Sequence, residues 1–338
     1  MDSEINIVFA LLRGALEDTV DKSAFGGMST QQWWGLFRVM RRNHVAALTA
    51  ETMATLEVPR EVKIPWLAER DKAVRWYRYQ LEVQQDIIGH MSRHSIETLV
   101  LKGTHTAQYY PQPELREFGD LDLYFYDKHD EADTLAVAEL GVAVGRDSHH
   151  HSKYNYRGIT VESHYDFINI HYPPSNRSYE ALLKGLAPSS TFEVLFLLRH
   201  MACHFAASRI TLRDLVDWKL TCRTLHDKID WSIVQDTIKQ YGMESFADAL
   251  NAIIEQRFGT QPLSRSDTQS LIERDIVYGS TASDDNGDDG FGRLGWKLRR
   301  WRANRWKRRL VFNDSEASVL FASLTSHAEK PASILHKM

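Results

Sequence analysis

Two aspartates one residue apart, Asp120 and Asp122, stand in the run Gly119-Asp-Leu-Asp-Leu-Tyr-Phe125. Alternate residues of a strand share a face, so this spacing points both carboxylates the same way and sends Leu121, Leu123 and Phe125 into a core. Two unit negative charges about 5 Å apart, at an effective dielectric of about 20, repel by roughly 3 kcal/mol. A site that keeps both ionised calls for a cation, and an all-oxygen ligand set favours Mg2+ or Mn2+.

The elements that must position these groups are legible on either side. The apolar run Ile96 to Leu101 reads as a strand that breaks at Lys102-Gly103, and a helix is predicted from Thr104 to Tyr110. Beyond the aspartates, Lys128 to Leu140 suits a helix, Gly141 to Gly145 a short strand, and Lys153 to Tyr172 a hairpin turning at Arg157-Gly158. On its second arm Ile159, Val161, Ser163 and Tyr165 share one face, and Thr160, Glu162, His164 and Asp166 the other. Glu162 is therefore the candidate third carboxylate, with His164 beside it. The run His149-His150-His151 reads as a mobile polar loop, with a loop near the site, a substrate-recognition patch or an adventitious metal binder as the alternatives.

An ordered set of these pieces resembles the largely uncharacterised nucleotidyltransferases of the polymerase-beta superfamily. Their pattern is an apolar strand ending in Lys-Gly, a Tyr-Pro segment, an Arg, a small residue with Asp-x-Asp, and later a strand carrying an acidic residue followed by His. This chain supplies Leu101-Lys102-Gly103, Tyr110-Pro111, Arg116, Gly119-Asp120-Leu121-Asp122 and Val161-Glu162-Ser163-His164 in that order, over roughly residues 95 to 225. It departs from the pattern at Gly103-Thr104, where the superfamily more often has Gly-Ser or Gly-Gly. The resemblance implies transfer of a nucleoside monophosphate from an NTP to a hydroxyl or phosphate acceptor, which is a small molecule, a protein or an RNA. Asp120 and Asp122 would bridge two metal ions, and Glu162 would complete one coordination sphere and also serve as general base. Lys102, Gly103, Thr104, Arg116 and Gly119 would grip the nucleotide, Lys102 and Arg116 by charge and Thr104 through backbone donors at a helix start. His164, His200, His204 and Asp217 would lie on the substrate side.

The flanks read as helical. Trp33, Phe37, Met40 and Leu48 lie near helical spacing, as do Trp76, Tyr77, Leu81, Ile88 and Met91 after a break at Pro65. Ser190 and Glu193 suggest a capping box that opens a helix striped by Val194, Leu197, Leu198, Met201 and Phe205. On the next helix Arg213 and Asp217 stand at ion-pair spacing. His200 and His204, one turn apart, lack the further ligands of a zinc site. The organisation predicted is an α+β core at 95–177, with a helical segment at 1–94, a helical domain forming the other wall of a cleft at 178–280, and an acidic linker with a basic Trp-rich tail at 281–338.

Within that tail, residues 293–309 interleave Lys and Arg with Trp296, Trp301 and Trp306. Such a segment suits an anionic partner, RNA or lipid, or packs its tryptophans on the protein body. With 41 basic against 45 acidic residues, the whole chain has no bias toward nucleic acid. Cys203 and Cys222 make no metal or disulfide framework, Asp2 and Glu4 stand where a signal peptide carries basic residues, and no apolar run approaches membrane-spanning length. A cytoplasmic setting is expected. Two competing readings are a non-catalytic nucleotide- or metal-binding module, and an RNA- or membrane-interaction protein run by the basic tail.

Overall fold

The computed structural model describes residues 2–146, 149–259, 266–279, 299–328 and 334–335. The acidic run at 281–290 and Trp296 lie outside these. Helices α1 (Asp2–Glu17), α2 (Thr30–Arg42), α3 (Ala46–Ala54) and α4 (Arg60–Arg93) open the chain. Ser29 and Gln32 close a capping box at the start of α2, and Trp33, Phe37, Met40 and Leu48 are buried as their spacing predicts. Pro65 does not break the chain but lies inside α4. It falls in the second turn, where only one backbone bond is forfeited, and the next residue anchors the helix: Trp66 is fully buried and donates its indole N–H to Ala46 O at 2.9 Å.

The middle of the chain forms β1 (Leu99–Val100), α5 (Thr104–Ala107), β2 (Asp120–Tyr124), α6 (His129–Leu135), β3 (Val144–Gly145), β4 (His151–Tyr156) and β5 (Ile159–His164). The sheet order is β1-β2-β5-β4-β3, with a two-residue strand, Ile334–Leu335, on the far side of β3. Among the described strands only β2 and β5 pair in parallel. The fold is thus α+β, a small mixed sheet flanked by helices.

Helix α5 is shorter than predicted, because the chain tightens into turns ahead of Pro111, with Tyr109 N on Thr106 O and Tyr110 N on Ala107 O. The hairpin turns where expected: Arg157 and Gly158 both take positive φ, 52° and 81°, the geometry a two-residue hairpin loop requires. Its second strand stops at His164 instead of Tyr172. Just beyond, the N–H groups of Phe167 and Ile168 go to the Glu180 carboxylate at 3.0 and 3.1 Å instead of to a neighbouring strand.

Helices α7 (Asn176–Leu186), α8 (Ser190–Ala207), α9 (Leu212–Leu225), α10 (Trp231–Gln240), α11 (Glu244–Phe258) and α12 (Asp267–Tyr278) follow, with Arg305–Val311 and Glu316–Ala328 near the end. The α8 stripe is buried as predicted. Its cap is Ser189, one residue earlier than expected, whose Oγ accepts from Phe192 N at 3.1 Å; Glu193 is engaged elsewhere. Among the described residues no helix is long and apolar enough to cross a membrane.

The chain forms two compact units, each assembled from separated stretches. One comprises Met1–Ala73, Leu115–Glu117 and Leu197–Phe312; the other comprises Val74–Glu114, Phe118–Phe196 and Asn313–Met338. The first is helical. In it Phe37 packs on Trp66 with ring centroids 5.2 Å apart, Phe205 on Phe246 at 5.0 Å and Trp306 edge-on to Phe205 at 5.4 Å. The described part of the basic segment is built into this unit: Lys307 is fully buried and bonds Asp275 and Ser208 O, both at 2.6 Å, while Arg308 stacks over Trp301 at 3.9 Å. Arg299, Arg302, Arg305 and Arg309 stay on the exposed side.

The second unit holds the sheet. Its core joins Val83, Ile87 and Met91 of α4 to Leu121, Leu123 and Phe125, to Tyr154, Ile159 and Val161, and to Ala132 and Ala136. The packing face of α4 lies slightly round the helix from the predicted Trp76-Tyr77-Leu81-Ile88-Met91 stripe, with Met91 common to both. Trp76 is exposed and donates to Phe118 O at 3.3 Å, and Tyr77 meets the Phe118 ring edge-on. One side of β2 and β5 is thereby committed to the core. Alternation leaves Asp120, Asp122 and Glu162 on the other.

Candidate active site

Strand register builds the site. In the parallel pair, Asp122 is the neighbour of Glu162, Asp120 of Thr160 and Tyr124 of His164. Adjacent strands lie about 4.8 Å apart, so the Asp122 and Glu162 carboxylates stand side by side on one face. On the opposite edge of β2, Leu101 N bonds Asp122 O at 3.0 Å, which sets the following Lys102 beside the aspartate. Lys102 Nζ lies 3.0 Å from Asp122 Oδ1, and the same oxygen is 2.9 Å from His164 Nε2. In the antiparallel pair, Lys153 faces Glu162 and His151 faces His164. Lys153 Nζ is 2.8 Å from Glu162 Oε1, His151 Nε2 is 3.7 Å from that atom, and His164 Nε2 is 3.8 Å from Glu162 Oε2.

The electrostatics follow from these neighbours. Burial alone would raise the Asp122 carboxyl, but the Lys102 charge and the His164 bond outweigh it and hold Asp122 well below the usual carboxylate range. Glu162 is likewise lowered: burial opposes ionisation, and Lys153 with His151 overcomes it. Asp120 goes the other way, raised by burial and by the adjacent Asp122 charge, with Glu162 adding to the effect and Lys102 opposing it. Burial pushes His150 and His151 below the ordinary histidine value, and nearby positive groups help. Two ionised, largely buried carboxylates are thus balanced by groups of this unit. A divalent ion would supply the same compensation.

One oxygen or nitrogen from each of Asp122, Glu162 and His164 lies within 4.8 Å of the other two, and among the described residues no other such cluster occurs. Asp120 feels the charge of this trio without belonging to it. The histidine run is only in part the polar loop expected: His149 and His150 lie in a bend, beside the site. His151 begins β4, and His150 stands edge-on to His164 with centroids 4.7 Å apart. The sequence offers no role for Lys153 and places His151 only within a polar run, although the signal was present: a hairpin folded about Arg157-Gly158 pairs residues equidistant from that turn.

The nucleotide-side candidates divide. Gly103 has φ +62°, and a Cβ there would come within 3.2 Å of the Phe118 ring, so the turn after Lys102 needs glycine. Thr104 is buried, and its hydroxyl donates to Gln84 of α4. Its helix is a single turn, too short for an appreciable dipole. Gly119 is exposed and a Cβ there would meet open space, so the fold itself does not demand glycine. Close by in sequence, His105 Nε2 lies 2.9 Å from Glu193, which also accepts from the Tyr109 hydroxyl, a tie between α5 and α8 that the sequence did not suggest.

The remaining candidates belong to the helical unit. Arg116 pairs there with Asp217, Nε and Nη2 reaching the two carboxylate oxygens at 2.8 and 2.7 Å. Asp217 thus takes Arg116 as a partner, while Arg213, expected one turn away, donates to Asp214 and to Glu117 O, both at 3.2 Å. His200 and His204 lie with ring centroids 4.3 Å apart and planes tilted by 51°.

A family model described as an uncharacterised nucleotidyltransferase matches residues 29–259, more than half of the chain and the whole of the Asp122–Glu162–His164 arrangement. The chain belongs to this nucleotidyltransferase family. No curated protein and no solved structure gives a match. The family match extends on both sides beyond the 95–225 resemblance, to include α2, α3 and α11.

Proposed function

We propose that this nucleotidyltransferase moves a nucleoside monophosphate from an NTP to a hydroxyl or phosphate acceptor, using a divalent cation held by Asp122 and Glu162 with Asp120 and His164 beside them. The observation that carries this reading is the pairing of Asp122 with Glu162 across parallel strands, with Lys102 3.0 Å from the aspartate. When bound, the cation supplies Lewis-acid polarisation of a phosphoryl oxygen and a lowered pKa for the attacking hydroxyl.

The protein's own groups do the rest. Lys102 attracts the triphosphate, and Gly103 lets the backbone turn close behind it. Glu162, kept ionised, receives the proton of the attacking hydroxyl as the acceptor oxygen bonds to the α-phosphorus; the bond to the bridging oxygen breaks and pyrophosphate departs. Gly119 leaves room beside Asp120 for the nucleotide. Thr104 remains assigned to nucleotide binding by family resemblance, and Arg116 and Asp217, paired with each other in the helical unit, are assigned a structural role.

The test is incubation of the metal-loaded protein with NTP labelled at the α-phosphate and a cell-extract acceptor pool. Label joined to an acceptor, together with released pyrophosphate, supports the reading. Tight NTP binding without pyrophosphate in any pool favours the non-catalytic module instead.

A further inference from the structure

We infer that the centre is a mixed carboxylate and imidazole site in which His164 is a direct ligand, and that it therefore takes a first-row transition ion in preference to Mg2+. The inference rests on the transferase reading above and narrows its cofactor.

The sequence alone suggested an all-oxygen shell of Asp120, Asp122 and Glu162. The structure gathers a different trio: Asp122, Glu162 and His164 have ligand atoms within 4.8 Å of one another, and Asp120 is left out. His164 is 4% exposed and fixed at both sides by strand register, to Tyr124 on β2 and to His151 on β4. Its Nδ1 is buried with no hydrogen-bond partner, while Nε2 lies against Asp122. The nitrogen that faces both carboxylates is Nε2, 2.9 Å from Asp122 and 3.8 Å from Glu162, so Nε2 is the atom this ring offers to an ion. His150 and His151 line the same ring, with centroids 4.7 and 5.5 Å from it.

Mg2+ demands oxygen ligands in near-ideal octahedral geometry and keeps several waters. Imidazole suits the first-row transition ions, whose affinity for such sites rises from Mn2+ to a maximum at Cu2+. A trio that is one-third imidazole, with Asp122 and His164 buried and two more imidazoles walling it, fits that class better than it fits Mg2+. Lys102 shares Asp122 Oδ1 with His164, so an arriving ion competes with the lysine for that oxygen.

The experiment titrates metal-stripped full-length protein with Mn2+, with Mg2+ as competitor, and records pulsed electron-spin resonance of the bound Mn2+. The expected result is Mn2+ binding tighter than Mg2+ by about tenfold or more, with a directly coordinated imidazole nitrogen coupling. That coupling should change when the protein is grown with isotopically labelled histidine, should vanish in His164→Gln and should persist in His226→Gln. Should His164→Gln fail to fold, the isotope shift in the unmutated chain and its survival in His150→Gln and His151→Gln assign the ligand. Mn2+ binding that is lost in Asp122→Asn yet shows no imidazole coupling overturns the inference and leaves the transferase reading standing. Mn2+ binding that is absent, or indifferent to Asp122→Asn, overturns both.

Discussion

Two ion pairs on buried aspartates, one in each unit, are built on different plans. Arg116 meets Asp217 fork to fork, at 2.8 and 2.7 Å, with both residues at most 5% exposed. That geometry matches planar donor to planar acceptor and fixes Leu115–Glu117 against α9 within the helical unit. Lys102 meets Asp122 at a single point, 3.0 Å away, on an oxygen that also serves His164, with Glu162 and Asp120 crowding the same face. A lysine ammonium is a point charge on a flexible stem and is readily exchanged for another cation. The first pair is arranged to hold structure, and the second to be displaced.

Substitutions sharpen this contrast, beginning with the largest effect. Asp122→Asn should leave the protein folded by circular dichroism yet lower nucleotidyl transfer by about a thousandfold or more, because electrostatic stabilisation of the transition state is lost. Near-normal turnover would break the comparison at its catalytic end. Asp217→Ala should instead cost about 3–5 kcal/mol of stability in urea denaturation, since it strands a buried guanidinium. Replacing both partners together, Arg116→Met with Asp217→Leu, should recover most of that loss.

Glu180 supplies a smaller effect that depends on pH. Burial pushes its carboxyl up from 4.5 to about 7, against the two backbone N–H bonds it accepts after β5. Between those values the folded protein binds a proton that the unfolded chain has released, so this group's contribution to stability falls as pH rises from about 4.5 and levels off above about 7. At about 1.4 kcal/mol per pH unit the loss is on the order of 3 kcal/mol at most. Glu180→Gln should flatten that part of the stability profile, and an unchanged slope would place the proton elsewhere.

Smallest of all is the contrast between two glycines. Gly103→Ala should destabilise by about 1–2 kcal/mol through its positive φ and the Phe118 ring. Gly119→Ala should leave the melting temperature unchanged while weakening NTP binding.

Much of this was readable from local pattern. The Asp120-Leu-Asp122 alternation, the Lys102-Gly103 break and the Arg157-Gly158 turn are encoded within a few residues, and so are the strands and faces that follow from them. What escaped was set by distant partners. Nothing near Glu193 announces His105 and Tyr109, and nothing near Asp217 announces Arg116, 101 residues earlier. The reading of α4 erred in its packing face because a long helix with scattered aromatics admits more than one apolar stripe, and the sheet core selects among them. Lys153 and His151 fall between these cases: the hairpin register that places them was implicit in the turn.

The most direct measurement of the central claim is a crystal structure of the full chain soaked with Mn2+ and a non-hydrolysable NTP, read by anomalous scattering. The account predicts a manganese peak between Asp122 and Glu162, with Lys102 moved from the aspartate to a phosphate oxygen. A nucleotide bound elsewhere, with Lys102 still on Asp122 and no peak beside it, would contradict it.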